Sequence, residues 1–203
     1  MKFILLIDDK QEHANSTIQI FAESNDLKDA YSFLTDVDGN NLGCSIAEPN
    51  ETEPFKERCD KAFQLVKDNI RNFDILMIDG FLLDSAVERV NHLVSLEVIN
   101  KIFFSSLDLS QKNIYIITGY NTKISVITYS DIYVNNKDKL VLLVRPTDIL
   151  RRNNRPEACI FRDENGGKCT RWENTVYYNP TLSEKCTYEQ CLTDIFLKAE
   201  RSN

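Results

Sequence analysis

No stretch of this chain is apolar for the roughly 20 residues that a membrane-spanning helix needs. Its first apolar run, residues 3–7 (FILLI), is too short for the core of a signal peptide. Acidic residues follow it instead of a small-residue cleavage site. These absences predict a cytoplasmic protein with no membrane partner. A basic excess is also missing: 24 Lys+Arg face 31 Asp+Glu, giving a formal net charge of -7. Such a chain has no general attraction to nucleic acid, which argues against a nucleic-acid partner. Paired C-x-x-C spacing is lacking among the six cysteines, Cys44, Cys59, Cys159, Cys169, Cys186 and Cys191. In a reducing compartment they are expected as thiols or metal ligands, not disulfides. The two histidines, His13 and His92, fall in expected helices and read as surface or packing residues. No nucleophile–histidine arrangement stands out. The stretch DENGGKC at 163–169 imitates a phosphate loop, but Arg162 stands where its first glycine is needed and Cys169 where Ser or Thr is needed.

What is present suits one domain, or one domain with an appendage: 203 residues, 42% of them hydrophobic and 27% charged. Residues 2–7 (KFILLI) read as a buried strand, and residues 10–24 as a helix with Ala14, Ile18 and Phe21 at helical spacing. Residues 30–35 suggest a second strand. A polar, turn-rich insertion near 36–54 follows, in which Asp36 to Asn40 reads as a hairpin turn, not as a calcium loop. An amphipathic helix is expected over 54–71, with Pro54 suited to its first turn. Further strands are expected at 73–78, 113–117 and 139–144, with a helical zone at 84–104. Strands alternating with helices imply a parallel sheet covered on both faces.

In such sheets the active crevice lies beyond the carboxyl ends of the strands. The polar residues there are Asp8 and Asp9 after the first strand, Asp79 after the third, Thr118 after the fourth and Arg145 after the fifth. Three carboxylates converging on one rim repel one another unless a cation sits among them. Magnesium suits hard oxygen ligands, and the Thr118 hydroxyl and Arg145 cation add what a phosphoryl group needs. A phosphatase with a second aspartate two places after the first is excluded, because Lys10 and Gln11 occupy those positions.

The stretches LLIDDK, DILMIDGFLLD, IYIITGY and LVLLVRPTDIL, in this order, resemble the receiver domain of bacterial two-component response regulators. The resemblance covers residues 1–152. It implies a flavodoxin-like, doubly wound five-stranded parallel sheet of order 2-1-3-4-5 and a signalling role without enzymatic turnover of its own. It also implies that Asp79 is the phosphoacceptor. Magnesium would be held by Asp8, Asp9, Asp79 and the backbone carbonyl of Phe81, and Thr118 would bond a phosphoryl oxygen. The phosphodonor would be a histidine kinase or a phosphotransfer protein. Arg145 stands where the family has lysine, and Leu142 where it has an aromatic switch residue. These departures carry the alternative of a pseudo-receiver, an unphosphorylated interaction module within a larger complex.

Residues 153–203 form a C-terminal extension that the resemblance does not cover. Its cysteines, Cys159, Cys169, Cys186 and Cys191, read as buried or idle thiols, with a four-cysteine zinc site as the alternative. Residues 187–201 read as an amphipathic helix that either packs back on the domain or binds a partner.

Overall fold

The computed structural model describes residues 1–8, 11–25, 27–44, 55–80, 94–109, 111–118, 130–136, 140–144 and 196. Within them the chain alternates strand and helix: β1 (Lys2–Ile7), α1 (Gln11–Glu23), β2 (Tyr31–Phe33), α2 (Phe55–Asp68), β3 (Ile75–Asp79), α3 (Val94–Phe104), β4 (Asn113–Thr118), α4 (Asp131–Asn135) and β5 (Leu140–Val144). The strands are parallel. β1 to β4 lie in the order 2-1-3-4, and β5 pairs with the outer side of β4. This is the α/β class with a parallel sheet that the alternating pattern predicts. Among the described residues no helix is long and apolar enough to cross a membrane.

Side chains alternate across a strand, so each strand feeds two cores. Leu5, Ile7, Leu76, Ile78, Ile114 and Ile116 face α2 and α3, where Cys59, Ala62 and Val66 meet Val98, Ile99 and Ile102. Ile4, Leu6, Ile75, Met77, Tyr115 and Ile117 face the other way, against Ala14 and Phe21 of α1. The central strands are apolar at nearly every position because both faces are covered. An ion pair of Lys101 with Asp60 also joins α3 to α2. The Lys101 ammonium bonded to it holds the Asp60 carboxyl below its ordinary value. The pair is surface-exposed, so apolar packing, and not this contact, sets how the two helices meet.

Asp74 fixes the register of β1 on β3. Its backbone N–H donates to Phe3 O at 2.8 Å, and its carboxylate accepts from the Phe3 N–H at 2.8 Å. From there Ile4 pairs with Ile75 and Ile7 with Ile78.

The free edge of β1 is closed differently along its length. β2 pairs only with Lys2, Phe3 and Ile4. The chain then reverses through the expected hairpin turn, bounded by an antiparallel bridge between Thr35 and Asn41. Asp36 Oδ1 accepts from the N–H groups of Asp38 and Asn40, both at 2.9 Å, and Gly39 takes a φ of 83°. These contacts occupy the carboxylate in making the turn, as Asx-type turns do. They also hold the Asp36 carboxyl below its ordinary value, with the Asn40 N–H the largest cause. The returning chain places buried Asn41 against β1, where its Nδ2 donates to Leu6 O at 3.0 Å. A side-chain amide thus takes the ladder position that a longer β2 would have filled. Gly43 follows so closely that a Cβ there would lie 1.8 Å from Leu6 O and 2.8 Å from Ile7 Cα.

The C-terminal extension contributes Phe196 to the core on the α1 side, where it is fully buried. Its ring stacks on Tyr115 at 5.0 Å between centroids. It also meets Phe21 and Tyr31 edge-on at 4.9 and 5.0 Å. Its carbonyl accepts from the Tyr31 hydroxyl at 3.3 Å. Of residues 187–201, the described one is Phe196, and its side chain packs on the domain.

Two substitutions probe these contacts. Phe196→Ala removes a ring buried among three aromatics and is expected to lower unfolding stability by about 3–5 kcal/mol in urea titrations. Gly43→Ala forces a methyl group into the backbone of β1 and is expected to cost about 1–3 kcal/mol, measured in the same way.

Candidate functional site

Asp8 and Asp79 come together because of the register. Ile7 pairs with Ile78, so the next residue of each strand stands beside the other at the carboxyl edge of the sheet. Parity then decides the face. Asp8 continues the series Ile4 and Leu6, and Asp79 continues Ile75 and Met77, so both carboxylates belong to the α1 side. Both are withdrawn from solvent: Asp8 is 0% and Asp79 is 6% exposed.

The first turn of α1 begins three residues after Asp8 and lies over the same face. His13, in that turn, brings Nδ1 to 3.8 Å from Asp8 Oδ1, with its side chain 45% exposed. One ligand atom from each of Asp8, His13 and Asp79 lies within 4.8 Å of the other two. The N-terminal end of α1 also carries the positive end of its helix dipole, which favours anionic groups beside it.

β3 passes into the following segment under restraint. The Gly80 N–H donates to Ile117 O at 2.5 Å, and Gly80 O accepts from the buried Ser95 hydroxyl of α3 at 3.0 Å. The backbone just after Asp79 is therefore tied to β4 on one side and to α3 on the other. Asp79 itself pairs with Ile117, so Thr118 ends β4 one residue further along the same rim, with Val144 of β5 opposite it. The side chain of Thr118 lies outside the described residues. Asp9, Phe81, Arg145 and the cysteines Cys159, Cys169, Cys186 and Cys191 lie outside them too, as does His92.

Of the three carboxylates expected at one rim, the structure describes Asp8 and Asp79 and places them beside each other. His13 is the residue that sequence reasoning passed over. It is a surface residue in part, as expected, but it also stands at the acidic rim. The rule that places it is strand parity, which the near-continuous apolar runs do not reveal in the sequence. Once Asp8 is assigned to the face that carries α1, a ligand-type side chain in the first turn of that helix falls beside it.

Chemically, two buried carboxylates this close repel when both are ionised, and a divalent cation between them removes that repulsion. Adjacent ligands of an octahedral ion stand about 3 Å apart and opposite ones about 4.2 Å apart, from metal–oxygen distances of about 2.1 Å. Donor atoms within 4.8 Å of one another can converge on one ion if the side chains move inward, by up to about 0.6 Å for an opposite pair and by more for adjacent ones. The carboxylates of Asp8 and Asp79 are the kind of hard oxygen donor that a divalent cation takes.

No family model matches the chain, and no curated protein or solved structure matches it either.

Cation binding should register as stability. At a hundredfold excess over its Kd, a cation that binds only the folded chain adds about 2.7 kcal/mol. Thermal melts are expected to rise on adding a divalent cation to the wild type but not to Asp8→Asn or Asp79→Asn. With a chelator present, each variant should melt at or above the wild-type temperature, because one member of the repelling pair is gone. Unchanged wild-type melts across divalent titrations would remove the cation from the site.

Proposed function

We propose that this chain is a receiver-like signalling protein in which Asp79 accepts a phosphoryl group. Support comes above all from the meeting of Asp8 and Asp79 as buried neighbours at the carboxyl edge of a parallel sheet. The resemblance of LLIDDK, DILMIDGFLLD, IYIITGY and LVLLVRPTDIL to receiver domains assigns the roles. On this reading the sheet is the flavodoxin-like, five-stranded arrangement of order 2-1-3-4-5. The donor is a cytoplasmic histidine kinase or phosphotransfer protein.

One carboxylate oxygen of Asp79 attacks the phosphorus of the donor. The P–N bond to the donor imidazole breaks, its electron pair stays on that nitrogen, and an acyl phosphate forms on Asp79. Asp8, Asp9, Asp79 and the Phe81 carbonyl would hold a magnesium ion, which would supply charge neutralisation to the phosphoryl oxygens. Thr118 donates to a phosphoryl oxygen and Arg145 provides a cation beside it. The tie of Gly80 to β4 and to Ser95 holds the backbone after Asp79 in place, so the nucleophile is oriented before the donor arrives. The new charge on Asp79 then draws the Thr118 hydroxyl and alters a protein-binding face.

Incubation with magnesium and acetyl phosphate, followed by intact-mass measurement, tests this directly. One added phosphate is expected on the wild type and none on Asp79→Asn. A wild type that binds the cation yet gains no phosphate from acetyl phosphate or from a phosphorylated histidine donor would overturn phosphoacceptance. The protein would then read as an interaction module.

A further inference from the structure

The receiver resemblance accounts for carboxylates at this rim and gives no part to His13. The structure nevertheless brings its imidazole to the carboxylate pair. Nδ1 lies 3.8 Å from Asp8 Oδ1. That is beyond ordinary hydrogen-bond length, yet between the roughly 3 and 4.2 Å that separate adjacent and opposite ligands of one octahedral ion. The three donors also come from three independent elements: the end of β1, the first turn of α1 and the end of β3. β1 and β3 are held in register through Asp74, and α1 is seated on the sheet by Ala14 and Phe21.

We propose that His13 is a direct metal ligand, making the rim a mixed nitrogen–oxygen site that selects a first-row transition ion such as Mn2+ over Mg2+. An imidazole nitrogen adds affinity for transition ions, whereas Mg2+ takes carboxylate, carbonyl and water oxygens and gains little from nitrogen. Asp8 and Asp79 remain the anionic part of the set. This proposal rests on reading the rim as a cation site, and it does not require that Asp79 accept a phosphoryl group.

The test uses the full chain with Mn2+ and no phosphodonor, so that it stands apart from phosphoacceptance. Mn2+ is a hard ion with little affinity for the cysteines of the extension. Electron spin-echo spectroscopy of the bound ion is expected to show nitrogen modulation from a coordinated imidazole in the wild type. His13→Ala should abolish the modulation and weaken Mn2+ binding by about tenfold or more, the scale on which losing even a partner of a metal ligand acts. Mg2+ affinity, measured calorimetrically, should change little. His92→Ala should keep the modulation, and thermal melts under chelation should show His13→Ala folded as the wild type. Bound Mn2+ without nitrogen modulation in the wild type would overturn the role of His13 and leave the carboxylate site intact. Modulation that survives in His13→Ala would overturn it equally. Failure of the wild type to bind either ion would overturn it together with the cation site itself.

Discussion

The reciprocal pair of hydrogen bonds between Asp74 and Phe3 decides where everything else at the rim can stand. β1 and β3 are far apart in sequence, and Phe3 and Asp74 differ by 71 positions. Parallel strands that are apolar at nearly every position have little in their own pattern to fix register, since a slip by two preserves the faces. A carboxylate at the start of β3 that accepts from Phe3 N–H, while its own N–H donates to Phe3 O, makes one alignment preferable. That alignment places Asp8 beside Asp79. A slip of two residues would keep both cores apolar and yet draw the two carboxylates apart, so the site depends on register more strictly than the fold does.

The outer edge of β1 shows the same division of labour. β2 supports β1 only through Ile4, and the part of β1 leading into Asp8 is held instead by Asn41 and Gly43. The hairpin turn at Asp36 to Asn40 delivers both residues, and the absence of a side chain at Gly43 is what allows the segment to lie on Leu6 and Ile7. The insertion, a departure from a minimal sheet, thus begins by bracing the strand that presents Asp8. Backbone closeness here substitutes for strand pairing, and it fixes the rim without extending the sheet edge that could pair with another chain.

Much of this was legible in the sequence for a definite reason. KFILLI and ILMID are apolar on consecutive positions because both faces of the sheet are covered, and an aspartate after each run marks the strand end. The pattern alone therefore puts Asp8 and Asp79 at one rim. It does not put His13 there, because the place of that residue depends on which face α1 covers, and a near-continuous apolar strand hides its own parity. Asn41 is hidden for a similar reason: nothing in a polar, turn-rich stretch says which amide will be buried on a strand edge. Phe196 belongs to an amphipathic pattern that fits packing and partner binding equally well. The aromatic surroundings formed by Phe21, Tyr31 and Tyr115 account for the burial of Phe196 itself.

Those aromatic contacts connect the extension to the site. α1 carries His13 in its first turn and Phe21 in its last, and Phe21 meets Phe196, Tyr31 and Phe33 edge-on. A helix is stiff over this length, so the packing at Phe21 constrains the tilt at which His13 approaches Asp8. The Tyr31 hydroxyl bonded to the Phe196 carbonyl adds a directional tie at the same end. The apolar face of the sheet that carries both site carboxylates is thus completed by a residue from the far end of the chain. A change in how the extension packs would reach the acidic rim through the seat of one helix, with no contact between the extension and the rim being required.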